Sequence, residues 1–288
     1  MSNKRPKSAS ISFTALYTGA VWQHNQLGDP SLATGSGEFL YRVLQPFEQL
    51  SEWTFGSNMR TFLLQRHQMI DDQISRRVES GEIRWVLEIA CGLSPRGLRL
   101  RSRFPRLNMI EADLPDMASR KAAVLAQKGA LGDHHQVTPM DILDDASGQS
   151  PAAVIERLIP EGEPVIVVTE GLTPYFSLDV ISGFWKQLAS ALASRPGSLY
   201  LTDTYRLPGG GVSQRTFSTL AGGLSLITRS RVSFHFASSD IARQHMEQMG
   251  FDRCEALNPA DFWDVLPIPK TRQAPLMRIL ACHVDGTA

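Results

Sequence analysis

Ile83-Arg84-Trp85-Val86-Leu87-Glu88-Ile89-Ala90-Cys91-Gly92-Leu93-Ser94-Pro95-Arg96-Gly97 decides the fold. An apolar strand ends in one acid, Glu88. A turn of small residues, Ala90-Cys91-Gly92, follows, and then a helical pattern begins. A strand leading into such a turn brings backbone amides close to a bound ligand, an approach that only small residues permit. A dinucleotide fingerprint places glycines at a G-x-G-x-x-G spacing so that a pyrophosphate sits on the helix N-terminus. Here Ala90, Gly92 and Pro95 occupy those three places. The turn therefore fits an adenosyl ligand without phosphates better than a dinucleotide.

Working outward, strand-like runs near 83–89, 107–113, 135–140, 164–169, 198–203, 251–257 and 276–284 alternate with helical patterns. The latter fall near 96–104, 115–128, 151–159, 178–194 and 238–249. Alternation of this kind predicts an α/β fold, a doubly wound and mostly parallel seven-stranded sheet of Rossmann-like character. Val165-Ile166-Val167-Val168 is an unbroken β-branched run, as expected of a central strand buried on both faces. Residues 13–80 carry apolar positions at helical spacing (Phe62, Leu63, Met69, Ile70, Ile74, Val78), so 1–80 reads as an N-terminal helical cap on the core of 81–288. Residues 205–237, opened by Pro208-Gly209-Gly210-Gly211, read as an inserted lid.

Twenty-nine basic residues balance 29 acidic ones, so no global field favours nucleic acid or an anionic membrane. Arg99, Arg101, Arg103 and Arg106 read as the solvated side of a helix and the turn after it. The three cysteines, Cys91, Cys254 and Cys282, are far apart and lack a C-x-x-C spacing, which speaks against a disulfide framework or a structural zinc site. They read as small packing residues. Met1 to Ser12 is polar and basic without an apolar core, and no apolar run approaches the roughly 18 residues that span a bilayer. The expectation is a cytoplasmic protein, with no metal, nucleic-acid or membrane partner and with an open oligomeric state.

In a doubly wound sheet, ligands bind beyond the carboxyl ends of the strands, where strand order reverses. Acids fall at four of these ends: Glu88, Asp113, Asp141 and Glu170. Carboxylates there suit the vicinal hydroxyls of a ribose or an adenine amino group.

Four segments carry a resemblance. Arg66-His67-Gln68-Met69-Ile70-Asp71 precedes the core, and LEIACGLSPRGLRL spans 87–100. IEADLPDMASRK spans 110–121, and VTEGLTPYF spans 168–176. In order and spacing they resemble class I S-adenosylmethionine-dependent methyltransferases, and within these the leucine carboxyl methyltransferase family, including its polyketide-type O-methyltransferase-like members. Ala90 and Ser94-Pro95 stand where the family usually has glycine and Asp-Thr.

The resemblance implies S-adenosyl-L-methionine as cofactor. Arg66 would pair with its methionyl carboxylate, a planar fork on a planar anion. Ala90 and Gly92 would line the methionine arm, with Glu88, Glu170 and Gly171 near its ammonium, and Arg96, the arginine after the turn, would also bind the cofactor. Asp113 and Leu114 would meet the ribose, and Asp141 and Ile142 the adenine. Tyr175 would face the methyl acceptor. The groups placed to take a proton, were one to be taken, are Glu170, Tyr175, Tyr17 and His24. The expected activity is O-methylation of a carboxylate or hydroxyl on a small-molecule metabolite. Two other readings stay open at this point: an NAD-dependent oxidoreductase, since Asp113 also stands where a ribose-binding acid would be, and a catalytically silent methyltransferase-like binding module.

Overall fold

The structure is a computed structural model that describes residues 8–55, 58–144, 147–205 and 235–286; for 8–14, 47 and 49–55 it describes the backbone alone. Most of the segment expected to form a lid, 206–234, and the first seven residues of the polar, basic N-terminal stretch lie outside the described residues.

The chain builds one seven-stranded sheet from β1 (Trp85–Ile89), β2 (Asn108–Asp113), β3 (His135–Pro139), β4 (Val165–Thr169), β5 (Ser198–Tyr205), β6 (Arg253–Leu257) and β7 (Met277–Val284). Their order across the sheet is β3-β2-β1-β4-β5-β7-β6. The first five strands are mutually parallel; β7 runs antiparallel between β5 and β6. The path steps outward from β1 through β2 to β3, then returns to β4 on the other side of β1. That reversal opens a crevice between β1 and β4, at their carboxyl ends.

Strand periodicity of two sorts the core into two layers. Leu87, Ile89, Ile110, Val165 and Val167 face one side and pack on Val154 and Ile155 of α6 (Pro151–Leu158), Phe184 and Trp185 of α7 (Leu178–Leu192) and Met246 of α8 (Ser239–Gln248). Val86, Met109, Ile166, Val168 and Leu199 face the other side. They meet Met69, Ile70 and Ile74 of α3 (Met59–Glu79) and Leu100 of α4 (Arg96–Arg103). Helix α5 (Pro115–Gln127) joins this second layer, where its Lys121 meets Glu111 of β2. The sheet and the five core helices thus fall where the sequence pattern puts them, within a residue or two at most ends.

The N-terminal segment is a more divided structure than a cap. Helix α1 (Ser8–His24) packs along α2 (Gly35–Phe55) around Tyr17, Val21 and Tyr41. Helix α3 is instead a layer of the core: Met69, Ile70 and Ile74 are fully buried against the sheet. No described helix is long and apolar enough to cross a membrane.

Because α3 closes one face of the sheet, Ile70→Ala should cost about 2–5 kcal/mol of unfolding free energy, the range for emptying a buried aliphatic site. Urea denaturation checks this. A loss as small as that of a surface substitution would place α3 outside the cooperative core.

Candidate functional site

At the carboxyl end of β1 the chain turns at Ala90, whose φ of 54° lies in the left-handed region. A side chain there costs about 1–2 kcal/mol, and the fold sustains it because the turn is pinned on both sides. The Cys91 amide donates to the Ala112 carbonyl (3.1 Å), and the Gly92 amide donates to Asp113 Oδ2 (2.7 Å). Alanine in place of glycine therefore leaves the tight turn intact. Gly97, in the first turn of α4, brings that helix onto β2. A Cβ there would lie 2.7 Å from the Glu111 carboxyl group.

The turn forms one wall of a pocket of about 80 Å³. Glu170, Gly171, Leu172 and Tyr175, from the loop after β4, form the opposite wall. Arg66 of α3 closes its base, and Ala15, Thr18 and Trp22 of α1 cover it. The pocket sits at the crevice between β1 and β4.

Beneath it lies a buried network of charges. Arg66 Nε donates to Glu170 Oε1 (2.9 Å), and its Nη1 donates to Asp203 Oδ2 (3.2 Å) and the Tyr205 hydroxyl (3.1 Å). The guanidinium lies across Gly171, where a Cβ would fall 2.7 Å from Nη2. Nη2 is the donor that none of these three bonds engages. Arg96, wholly buried, donates to Glu170 Oε2 (2.6 Å), to Asp71 Oδ1 (2.6 Å) and to Glu88. His67 Nδ1 lies 2.8 Å from Glu170 Oε2, and Arg99 Nη1 lies 2.9 Å from His67 Nε2. Arg96 Nη2 also lies 3.0 Å from His67 Nδ1, so guanidiniums flank both ring nitrogens. Trp22 covers the imidazole, with ring centroids 4.5 Å apart.

Burial alone would raise the Glu170 pKa, but His67 and the guanidiniums of Arg96 and Arg66 outweigh it and hold the carboxyl well below the usual range. Glu170 is thus an anion, not a proton carrier. Burial pushes His67 down to about 3, so the imidazole is neutral. Burial raises Glu88 despite Arg96, and it raises Asp113 against the pull of the Gly92 and Leu114 amides. A second buried cluster, Lys121–Glu111–His135, ties α5 to β2 and β3 at 2.5 and 2.8 Å.

The comparisons with known proteins agree with this architecture. The family model of leucine carboxyl methyltransferase matches residues 32–189, more than half of the chain. The chain belongs to the leucine carboxyl methyltransferase family. Among curated relatives, the S-adenosyl-L-methionine-dependent methyltransferase dpfgK of Gibberella zeae is 27% identical over 105 residues, covering 36% of this chain and 33% of that protein. A Frankia alni protein, provisionally named an S-adenosyl-L-methionine-dependent methyltransferase, is 31% identical over 149 residues, half of each chain. The chain thus spans a third to a half of these relatives. Two solved structures share the fold over nearly their whole length. One, provisionally named a methyltransferase, is from Thermobifida fusca (TM-score 0.63, 16% identity, 95% of this chain and 94% of that one). The other is a DUF574 family protein from Streptomyces avermitilis (TM-score 0.61, 12% identity, 94% and 96%).

The motifs of this family member separate into three places. Arg66, Ala90, Gly92, Glu170, Gly171 and Tyr175 line the same pocket. Glu88 and Arg96 lie beneath it, bonded to each other and buried to 2% and 0% exposure, so they support the site and do not face it. Asp113, Leu114, Asp141 and Ile142 lie outside the pocket lining, farther along the rim. Asp113 spends its oxygens on the Gly92 and Leu114 amides, and Asp141 Oδ1 accepts from Leu143. Tyr17, expected at the acceptor, points elsewhere: its buried hydroxyl donates to Glu48 (2.5 Å), and burial with that carboxylate pushes its pKa far up. His24 stacks on Tyr41 and bonds Glu38 (2.6 Å), also away from the pocket.

Sequence reasoning missed Asp203, Tyr205, His67, Trp22 and Thr18. Asp203 had a signal, being a fifth acid near a strand end, in Thr202-Asp203-Thr204 of β5. Arg99, read as solvated, instead reaches Asp71, His67 and the Leu27 carbonyl.

Gly171→Ala forces a side chain into φ +69° and against the Arg66 guanidinium. It should lower stability by about 1–2 kcal/mol in thermal unfolding. Acid should also destabilise the fold. His67 and His283, lowered to about 3 and 4 by burial, and His245, lowered likewise, take up protons in the unfolded chain first. From these histidines stability is full above about pH 6.5 and falls as pH drops toward 4. Below about pH 4.5 the unfolded chain also protonates Glu170 before the folded one does, which extends the loss, while the raised Glu88 and Asp113 oppose it. Urea midpoints across this range test it, and His67→Gln should flatten the slope by about one proton.

Proposed function

We propose that this chain is an S-adenosyl-L-methionine-dependent O-methyltransferase acting on a small-molecule metabolite. One observation carries the reading. The pocket at the glycine turn presents a guanidinium, with Arg66 Nη2 unengaged by Glu170, Asp203 and Tyr205, beside the anionic Glu170 carboxylate. That pair is the complement of an amino-acid zwitterion. The guanidinium suits a carboxylate, and the carboxylate suits an ammonium. A methionine arm carries both ions, and a nicotinamide dinucleotide carries neither. The names of the curated relatives point the same way. Asp113, Leu114, Asp141 and Ile142 follow the ends of β2 and β3 on the same rim, and are the residues that would meet the adenosyl end.

When bound, the cofactor supplies a methyl group already activated by its sulfonium sulfur. What remains for the protein is alignment of an attacking oxygen behind that methyl, an effect worth roughly 7–11 kcal/mol of barrier. Arg66 and Glu170 fix the arm. His67 and Arg96 fix Glu170, and Trp22 and Thr18 cover the pocket from water. Glu170 is held ionised, and Tyr17 and His24 face other partners. Of the four groups considered for proton transfer, this leaves Tyr175, which lines the pocket. The arrangement favours a carboxylate acceptor, which is anionic at neutral pH and needs no base. The proposal includes a cytoplasmic location, in keeping with three free thiols.

Titration calorimetry of the full chain with S-adenosyl-L-methionine should show one site, and no heat at millimolar ligand would sink the reading. Tyr175→Phe then separates the acceptors. With a carboxylate, turnover should stay within about threefold, whereas a fall of about 10²-fold or more marks Tyr175 as the base for a hydroxyl.

A further inference from the structure

Cys254 and Cys282 stand directly opposite each other in the antiparallel pairing of β6 with β7. Opposed residues in such a ladder have Cα atoms about 4.5 or 5.5 Å apart. Both spacings fall inside the range of about 4.4–6.8 Å that a disulfide spans. The two side chains share the same face of the sheet and the same apolar cluster. Their sulfurs approach to 2.8 Å, and both thiols are free and buried. From sequence alone, 28 residues of separation spoke against pairing. The hairpin-like return of β7 along β6 cancels that distance.

We propose that Cys254 and Cys282 are a built site of covalent modification, closing to an intramolecular cross-strand disulfide when the protein meets hydrogen peroxide. Strand β6 is the edge of the sheet, so Cys254 is the sulfur an oxidant reaches when that edge opens. The Cys254 thiolate attacks one peroxide oxygen, and the O–O bond breaks to leave a sulfenic acid and hydroxide, which takes up the thiol proton as water. The Cys282 sulfur then displaces hydroxyl from the Cys254 sulfur. The S–S bond forms, the S–O bond breaks, and the second thiol proton leaves in a second water. Two sulfurs together lose two electrons, and the two peroxide oxygens gain them. The bond ties the edge strand to β7 and encloses the 258–276 loop. The carbonyls of Pro269 and Pro267 in that loop accept from Gln65 and Gln68 of α3, the helix that carries Arg66. Cys91 lies in the turn after β1 and takes no part.

The test uses the native full chain, treated with hydrogen peroxide, then denatured, alkylated and digested without reductant. Trypsin cuts after Arg253, Lys270 and Arg278, so the bond joins peptide 254–270 to peptide 279–288. The expected result is that linked species, a chain lighter by two hydrogens, and one alkylated thiol in place of three, all reversed by dithiothreitol. Cys91→Ala should leave the link unchanged. Three alkylated thiols after oxidation, separate sulfinic acids on Cys254 and Cys282, or a link through Cys91 would each overturn the proposal. The readout is a mass, so it stands apart from whether the chain transfers methyl groups.

Discussion

Arg96 places a charge inside the helical cover of the sheet, and three carboxylates from three separate elements neutralise it: Asp71 of α3, Glu88 of β1 and Glu170 beyond β4. The constraint is severe because a buried charge without its partner costs several kcal/mol. Helix α3, strand β1 and the loop after β4 can therefore meet in only one relative position. Helix α3, the turn that follows β1 and the loop after β4 also line the pocket, together with α1. The ion cluster does little for net stability, because removing four charges from water offsets much of their attraction. Its consequence is geometric: Glu170 reaches the pocket with its carboxylate oriented by its buried partners and its charge fixed.

The same cluster explains why Arg66 and Glu170 coexist in the pocket without cancelling each other. Each is tethered from behind. Asp203 and Tyr205 hold the arginine, and His67 and Arg96 hold the glutamate. An ion pair made only of these two would close on itself and offer a ligand nothing. Among the described residues, the shared partners leave the Nη2 amino group unspent, and Gly171 leaves room for it. The neutral state of His67 belongs to this arrangement, since a protonated imidazole beside Arg96 and Arg99 would add a third cation.

The four acids at strand ends show how far a motif can be read. As a string, Glu88, Asp113, Asp141 and Glu170 look equivalent, each closing a strand. In the fold they are three different things: a buried counter-ion, two rim carboxylates bonded to turn amides, and a pocket anion. Sequence pattern finds the strand end because chain direction and periodicity are local. It cannot name the partner, because Arg66 lies 104 residues from Glu170 and 137 from Asp203. Tyr17 illustrates the converse. Its place on a helix ahead of the core was readable, but which way the ring points depends on Glu48 of a different helix.

By itself the sequence determined the strands, the helices between them, the tight turn after β1 and the family, since each rests on short-range chemistry: alternation, turn residues, small side chains at a close approach. Tertiary structure alone decided which charges face a ligand and which face each other, that α3 is core and not cap, and that two distant cysteines touch. Those outcomes follow from the order β3-β2-β1-β4-β5-β7-β6, which makes neighbours of strands far apart along the chain. Side-chain partners are set by that crossing of strands, and no local signal encodes it.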